Sequence, residues 1–190
     1  DCKKVGNNDD GADKYLVFLL DGFSKALKNK TNCRGGKFRA GTGSAMYYLW
    51  HANEIGASPD GRKKGEPLGT NFSPSLFAKV KGPISVISSL VKPDFLNAMN
   101  GGPVTLEFTE DMWKGKDSKE KFSKFVKLFF AMGGHQLQLN SVNIETLKDA
   151  RENPEKYERL IVRVWGWSAY FTELDKEYQD HVIARQEYSI

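Results

Sequence analysis

The most distinctive segment of this sequence is Arg163-Val164-Trp165-Gly166-Trp167-Ser168-Ala169-Tyr170-Phe171. It continues an apolar run over residues 160–164, which predicts a buried strand that ends just before Gly166. A glycine between two bulky aromatic residues at a strand end usually marks a bulge or a close approach of two backbones. A purely structural role is therefore one sufficient explanation of Gly166.

Chemistry offers a second explanation of a glycine at this position. A radical centred on Cα is delocalised between the adjacent amide nitrogen and the carbonyl group, and this delocalisation requires a planar centre. Glycine has no Cβ to crowd that plane or to react itself. The side chains of Trp165 and Trp167 would bury such a centre and exclude water and oxidants. The residue types therefore suit a stored radical at Gly166.

Residues 163–171 resemble the C-terminal signature of the glycyl radical enzyme family, which reads Arg-Val-x-Gly-aromatic-Ser/Thr-Ala. Further segments resemble family segments in the same order along the chain, namely residues 34–39, 56–62, 133–140 and 179–185. Because these ordered matches cover nearly the whole chain, it is identified as a member of this pyruvate formate-lyase-like family.

The resemblance implies a fold and a division into domains. The implied fold is α/β, the C-terminal portion of the family's ten-stranded α/β barrel with helices around it. Residues 1–132 would belong to the barrel, and residues 133–190 would form the glycyl radical domain. The residue pattern also predicts a mixed α/β class, because helical and strand segments are interleaved without an internal repeat.

Hydrophobic periodicity predicts two amphipathic helices upstream of the glycine segment. The first helix is capped by Asp9 or Asp10 and stopped by residues 34–36, and the second begins near Asp117 or Ser118 and ends at residues 133–134. Their apolar faces are formed by Leu16, Leu20, Phe23 and Leu27 in the first helix, and by Phe122, Phe125, Val126 and Phe129 in the second.

Shorter elements are predicted nearer the C-terminus. Alternation over residues 136–140 indicates a strand with one solvent-exposed face, and Pro154 begins a short helix. Asp175 can cap a final helix, whose inward residues would be Tyr178, Val182 and Ile183.

The reaction that the resemblance implies begins with hydrogen-atom exchange. A Gly166 radical would oxidise a cysteine on a facing loop, and the resulting thiyl radical would abstract hydrogen from a small organic substrate. The family's Cys-x-Glu-type loop has no counterpart here, since Cys2 and Cys33 do not match it. We therefore expect the catalytic cysteine to lie outside this chain. The radical would be installed by a separate S-adenosylmethionine-dependent iron–sulfur activase, with no cofactor remaining bound.

The candidate residues that support the radical loop come from the signature and from one strand. They are Arg163, Trp165, Trp167, Ser168, Gln138 and Asn140. Strand alternation places Gln138 and Asn140 on one face, which in the family lies near the radical loop. We expect these two residues to hold the backbone of the loop rather than to react. Substrate-binding residues stay unassigned.

Other residues that invite a catalytic interpretation have simpler explanations. His51 and His135 each suit a general base, but a lone histidine is more often a hydrogen-bonded packing residue. Arg62 could bind a carboxylate, yet its place in a turn favours local hydrogen bonding. We find no phosphate-binding glycine loop and no metal-ligand spacing in the sequence.

The substrate class is less well determined than the family. Trp residues on both sides of Gly166, together with residues 41–50, look most like the arylacetate decarboxylase branch, which acts on 4-hydroxyphenylacetate or indoleacetate. Diol and hydroxyproline dehydratases, fumarate-adding synthases and formate acetyltransferases share the general motifs and stay open. So do a non-catalytic replacement glycyl radical subunit and a plain interaction module.

Composition narrows the remaining possibilities. The net charge of +4 comes from basic residues scattered among acidic ones, which indicates a solvated surface rather than a nucleic-acid stripe. The apolar run over residues 15–20 is far shorter than the roughly 20 residues of a membrane span. The chain begins at Asp1 without Met, so we expect a processed, split or truncated product. Because there is no apolar leader, we expect a cytoplasmic protein. The family resemblance implies that it is an oxygen-sensitive protein of anaerobes that forms a homodimer.

Overall fold

The computed structural model describes residues 2–44, 47–141, 143–185 and 187–188. The predicted segments 41–50 and 133–190 are therefore described only in part, because Ala45, Met46, Val142, Gln186, Ser189 and Ile190 lie outside the described residues, as does Asp1. The helices are α1 (Asp10–Leu27), α2 (Tyr47–Trp50), α3 (Pro83–Leu90), α4 (Ser118–Ala131), α5 (Ile144–Glu152) and α6 (Lys176–Ile183). The strands are β1 (Pro103–Phe108), β2 (Gln136–Ser141), β3 (Ile161–Arg163), β4 (Ser168–Tyr170) and β5 (Glu187–Tyr188). Short 3-10 helices occupy Glu110–Trp113, Pro154–Lys156 and Phe171–Glu173.

Strand β1 lies at the centre of a parallel sheet with the order β2-β1-β5. Its register with β2 sets Glu107 opposite Asn140. Residues 104–108 are all buried, as is typical of a parallel strand covered on both faces. The sequence analysis did not predict β1, although residues 104–108 alternate apolar and polar side chains in a pattern that indicates a strand.

A first core cluster joins this sheet to three helices. Its buried members are Leu20, Ala40, Phe72, Val86, Ile87, Leu90, Phe95, Ala98, Val104, Leu106, Phe108, Phe125 and Phe129. The predicted strand β2 borders the same cluster through Leu137 and Leu139. One face of the sheet is thus fixed by aromatic and aliphatic packing against α1, α3 and α4.

Helix α4 begins and ends where the sequence predicts. Its N-cap is Asp117, and Gly133 follows the helix with a φ of +94°. The amide of Gly133 donates to Phe130 O at 3.0 Å and that of Gly134 donates to Phe129 O at 2.9 Å. These are the two bonds of a Schellman motif, for which a glycine with positive φ is the usual residue.

Helix α1 confirms one end of its prediction and corrects the other. Asp9 caps the helix by accepting a hydrogen bond from the amide of Gly11 at 2.8 Å. The helix ends at Leu27, because Lys28 takes an extended ψ of 130° and Asn29 a positive φ of 65°, so residues 34–36 do not stop it. Phe23 is also 49% exposed rather than buried. Periodicity identifies the face of a helix but not how far its neighbours cover that face.

The predicted buried strand over residues 160–164 is instead half of a hairpin. β3 pairs with β4 in an antiparallel register that sets Arg163 opposite Ser168. Val162 and Val164 are buried, whereas Ile161 is 62% exposed and Arg163 is exposed. The prediction of a fully buried strand is therefore wrong, since alternate residues of β3 point to opposite faces and only one face is covered.

A second core cluster lies beneath this hairpin. Its buried members are Tyr48, Leu49, Leu147, Ala150, Val162, Val164, Trp165, Phe171, Tyr178 and Val182. The predicted last helix is present, because α6 follows Asp175 and buries Tyr178 and Val182, with Ile183 partly buried. The side chain of Asp175, however, makes no capping hydrogen bond. The short helix at Pro154 is also present, although α5 directly before it was not predicted.

Within the described part of the chain, no helix has the length and apolar character needed to cross a membrane. The division of the chain into residues 1–132 and 133–190 stays a prediction.

Candidate functional site

Gly166 lies at the tip of the β3–β4 hairpin. Trp165 and Gly166 form its two-residue loop, which is closed by a hydrogen bond of 2.8 Å from the amide of Val164 to Trp167 O. Gly166 has a φ of +80°, and a Cβ added to it would meet no atom within 4 Å. The glycine is thus favoured here by its left-handed backbone, not by a close approach of another segment.

The two tryptophans cover only one side of the hairpin. Trp165 is 5% exposed and packs edge-on to Tyr48, with ring centroids 6.4 Å apart. Trp167 is half-buried against Tyr178, with centroids 5.9 Å apart. Gly166 itself is exposed. The expected burial of the radical centre by its flanking tryptophans is therefore not met by this chain alone, because both rings turn towards the second core cluster and leave the tip of the loop bare.

Side chains predicted to support the loop come together on its sheet side. Arg163 donates from Nε to Gln138 Oε1 at 3.3 Å and from Nη1 to Ser168 Oγ at 3.1 Å. Gln138 Nε2 donates in turn to Asn140 Oδ1 at 3.4 Å. These bonds join side chains to one another. The expectation that Gln138 and Asn140 hold the loop's backbone is thus replaced by contacts of Gln138 with the Arg163 side chain and of Asn140 with Glu107.

Backbone carbonyls of the hairpin are instead held by Arg185, which follows α6. Its Nη1 donates to Arg163 O at 2.8 Å and its Nη2 donates to Val164 O at 3.0 Å. Its guanidinium also lies 4.6 Å from the centre of the Trp165 ring. Sequence reasoning placed Arg185 in a family-like segment but gave it no role. Its position in that segment was the one signal that could have found it.

Glu107 of β1 is the anionic partner of Arg185. Its Oε1 lies 2.9 Å from Arg185 Nη1 and also accepts a hydrogen bond of 2.8 Å from Asn140 Nδ2. Both charged residues are buried. A buried carboxylate needs such partners because desolvation penalises its charge. Glu107 was missed because its strand was missed.

Comparison with known proteins decides the family. A family model described as "Glycine radical" matches residues 68–172, more than half of the chain, and this region includes Gly166. The chain belongs to the glycyl radical enzyme family. The family resemblance inferred from residues 163–171 is confirmed.

Relatives of known activity span more than one reaction. Indoleacetate decarboxylase of Tractidigestivibacter scatoligenes is 35% identical over 188 residues, which are 98% of this chain and 21% of that protein. The glycerol-bound B12-independent glycerol dehydratase of Clostridium butyricum is 35% identical, with a TM-score of 0.94 over 100% of this chain and 24% of that chain. A glycyl radical enzyme from Archaeoglobus fulgidus is 36% identical, with a TM-score of 0.92 over 100% of this chain and 24% of that chain.

These comparisons confirm the predicted fold class, the C-terminal portion of the family's α/β barrel. The chain spans about a fifth to a quarter of the length of these glycyl radical enzymes and relatives. The tip of the Gly166 hairpin is therefore exposed in a chain that covers only this part of its relatives' length.

Beneath the Gly166 hairpin lies a histidine that is held neutral. His181 is 2% exposed, and its Nδ1 lies 3.4 Å from the hydroxyl of Tyr48. Burial, with a contribution from Arg185, lowers the pKa of His181 to about 3. Burial also raises the pKa of the Tyr48 phenol. Both groups are uncharged at neutral pH, so they pack beneath Trp165 and add no charge near the Arg185 guanidinium.

The other candidates from the sequence are placed away from this hairpin's hydrogen bonds. His51 is exposed and pairs with Glu54 at 3.0 Å, while His135 stacks on Phe95 with centroids 5.8 Å apart. Arg62 is buried and donates to carbonyls of its own loop, including Glu66 O at 2.9 Å. These contacts agree with the local roles favoured by the sequence.

Cys2 and Cys33 are both exposed and free of disulfides. Among the described residues, no group of three or more His, Cys, Asp or Glu side chains is arranged to hold a metal ion.

Proposed function

We propose that Gly166 stores the radical of a glycyl radical lyase, and that this chain is the radical-bearing C-terminal part of that enzyme. The observation that carries the proposal is the position of Gly166, a positive-φ glycine at a hairpin tip inside the family's "Glycine radical" region. Its exposed Cα is accessible both to an activating protein and to a facing cysteine loop.

The proposed reaction moves one hydrogen atom in each step. The Gly166 Cα radical takes the hydrogen atom of a cysteine thiol, which restores an ordinary glycine and leaves a thiyl radical. The thiyl radical takes a hydrogen atom from substrate, the substrate radical rearranges, and the product radical takes the hydrogen atom back. The protein's part is to position the reacting atoms and exclude water and oxidants. The cysteine would lie in a part of the enzyme outside this chain.

The radical itself would come from a separate activating enzyme that uses S-adenosylmethionine and an iron–sulfur cluster. Family membership supports this proposal, as it supports a cytoplasmic, oxygen-sensitive enzyme that assembles as a homodimer. A non-catalytic replacement subunit is the alternative use of the same hairpin. It would restore activity to an oxygen-cleaved enzyme without a catalytic cysteine of its own.

For the substrate we propose an arylacetate that loses its carboxyl group as CO2. The tryptophans on both sides of Gly166 and the 35% identity to indoleacetate decarboxylase support this choice. Dehydration of a small diol is the second candidate, because the glycerol dehydratase structure is equally identical at 35%.

Anaerobic assays of the activated, full-length enzyme distinguish these reactions. Indoleacetate and 4-hydroxyphenylacetate should each be tested for CO2 release, and glycerol and 1,2-propanediol for formation of an aldehyde. CO2 release with one arylacetate and no aldehyde supports the decarboxylase, and the reverse result supports the dehydratase. An activated enzyme without any organic radical signal contradicts the proposed function itself.

A further inference from the structure

The radical hairpin and the parallel sheet are packed in different core clusters. Val162, Val164 and Trp165 belong to the second cluster, whereas Val104 and Leu106 of β1 belong to the first. Apolar packing within each cluster therefore does not by itself fix the hairpin relative to β1. Polar contacts between the two clusters must supply part of that positioning.

Arg185 lies at this junction and contacts the hairpin at three places. Its guanidinium donates to the carbonyls of Arg163 and Val164 and lies against the ring of Trp165. Only Trp165 separates Val164 from Gly166. Fixing these groups therefore fixes the last backbone and side-chain positions before the glycine.

Glu107 connects the same guanidinium to the sheet. Its carboxylate accepts from Arg185 at 2.9 Å and from Asn140 at 2.8 Å, so it links β1, β2 and the chain after α6. Stability alone explains this pair poorly, because buried ion pairs often contribute no more than apolar residues of similar size. In addition, Arg185 Nε is buried without a hydrogen-bond partner among the described residues.

We infer that Arg185 and Glu107 form a latch that fixes the radical hairpin against β1, which makes Arg185 a positioning residue for Gly166. The inference rests on the proposed function. Hydrogen-atom transfer between a Cα and a thiol needs the two groups within about 3 to 3.5 Å, so a small displacement of the tip slows transfer. Neither Arg185 nor Glu107 touches the reacting atoms. They act through the carbonyls of residues 163–164.

The test uses the full-length enzyme and the double variant Glu107→Gln, Arg185→Gln. Replacing both residues avoids a buried carboxylate without its cation, which by itself destabilises a protein. The amide introduced by Glu107→Gln would keep an acceptor for Asn140. The matched control is Arg151→Gln. Arg151 forms an ion pair with Asp180 that joins α5 to α6. Among the described residues, the carbonyls of Arg163 and Val164 are bound by Arg185 instead.

Two measurements separate positioning from general stability. In the unactivated protein, hydrogen exchange over residues 161–170 should quicken by about tenfold in the double variant, with residues 136–141 unchanged. After activation, turnover per installed spin should fall by about tenfold to a hundredfold, while the rate of radical installation is not lowered. The Arg151→Gln control should change neither quantity.

Other results would overturn the latch. Turnover per spin equal to that of the control means that Arg185 does not position Gly166. Faster exchange throughout the protein, with spin yield and turnover falling together, means that the pair is only structural. If the wild-type enzyme gives no spin signal, the proposed function fails, and the exchange experiment still decides whether the latch holds the hairpin.

Discussion

Gly166 combines two properties at the scale of a single residue. Its φ of +80° lies where L side chains are strained, and an added Cβ would meet no neighbouring atom within 4 Å. Gly133, after α4, has the same combination with a φ of +94°. The two glycines therefore have similar structural demands, and only Gly166 lies in the signature segment. Substituting each glycine in turn therefore distinguishes a loss of backbone freedom from a loss of the radical.

We expect Gly166→Ala to abolish the radical while costing the fold about 1 kcal/mol from backbone strain. Activated wild-type enzyme should show an organic radical in electron paramagnetic resonance, split by the one remaining α-hydrogen, and air should cleave its backbone at Gly166. The variant should show neither the signal nor the cleavage. Gly133→Ala should lose similar stability and keep both. Turnover by a folded Gly166→Ala enzyme would end the radical interpretation.

His181 predicts a pH dependence of the packing beneath Trp165. Its folded pKa of about 3 lies below the usual 6.5, so the unfolded state binds the proton first as pH falls. Its contribution to stability is therefore present above pH 6.5 and is lost as pH falls towards 3. At pH 5 the loss should be about 2 kcal/mol.

The measurement is hydrogen exchange in α6 at about pH 7 and about pH 5, after correction for the intrinsic effect of pH on exchange rates. His181→Gln should remove most of the acid destabilisation, because a neutral amide has no proton to gain. His51→Gln, at an exposed position, is the control and should behave as wild type. An unchanged acid response in His181→Gln would show that another group is responsible.

At the scale of elements, the hairpin and the sheet depend on different core residues. Phe171 is fully buried in the second cluster, and Gln179 Nε2 donates to its carbonyl at 3.0 Å. Phe129 is 1% exposed in the first cluster, where α4 packs on the sheet. The same substitution at these positions should therefore loosen different elements.

We expect Phe171→Leu and Phe129→Leu each to cost about 1–2 kcal/mol through lost packing. Hydrogen exchange should rise over residues 161–170 in the first variant and over residues 103–108 in the second. Turnover per spin should fall only in Phe171→Leu, because only that variant loosens the hairpin carrying Gly166. Equal exchange changes in both regions for both variants would contradict two separable clusters.

At the scale of the whole molecule, the proposed function requires the hairpin to serve two partners. On that proposal, an activating enzyme reaches the backbone of Gly166, and a cysteine loop faces it during turnover. The C-terminal segment is joined to the sheet by the Arg185–Glu107 pair and by the pairing of β5 with β1. Its release would also break the β3–β4 pairing and remove Trp165, Phe171 and Tyr178 from the second core cluster. In the part of the chain that the structure describes, the first core cluster has no buried member after Phe129, so it would stay intact.

We expect residues 165–190 to leave the core as a unit when the activating enzyme binds, with the contacts to that enzyme offsetting the cost. Hydrogen exchange of the full-length protein with and without activating enzyme measures this opening. Residues 165–185 should lose protection on binding, and β1 and β2 should not. Protection of residues 165–185 equal to that of β1, even with the activating enzyme present, would exclude the opening.

The sequence by itself determined the family, the place of Gly166 after a short strand, and the bounds of α4. These features depend on local rules: a glycine-marked helix end, residue spacing, and a signature read from consecutive residues. It also brought Gln138 and Asn140 to one face of a strand, because alternation in a strand is a local property.

Only the tertiary structure decided what each face meets. Glu107 had no role assigned from the sequence, yet pairing on both edges of β1 buries it against Arg185. Arg185, not Gln138 or Asn140, holds the hairpin carbonyls, because the turn after α6 brings a residue distant in sequence to the loop. Phe23 and Gly166 are exposed because burial depends on neighbouring elements, and periodicity along one chain segment carries no information about them.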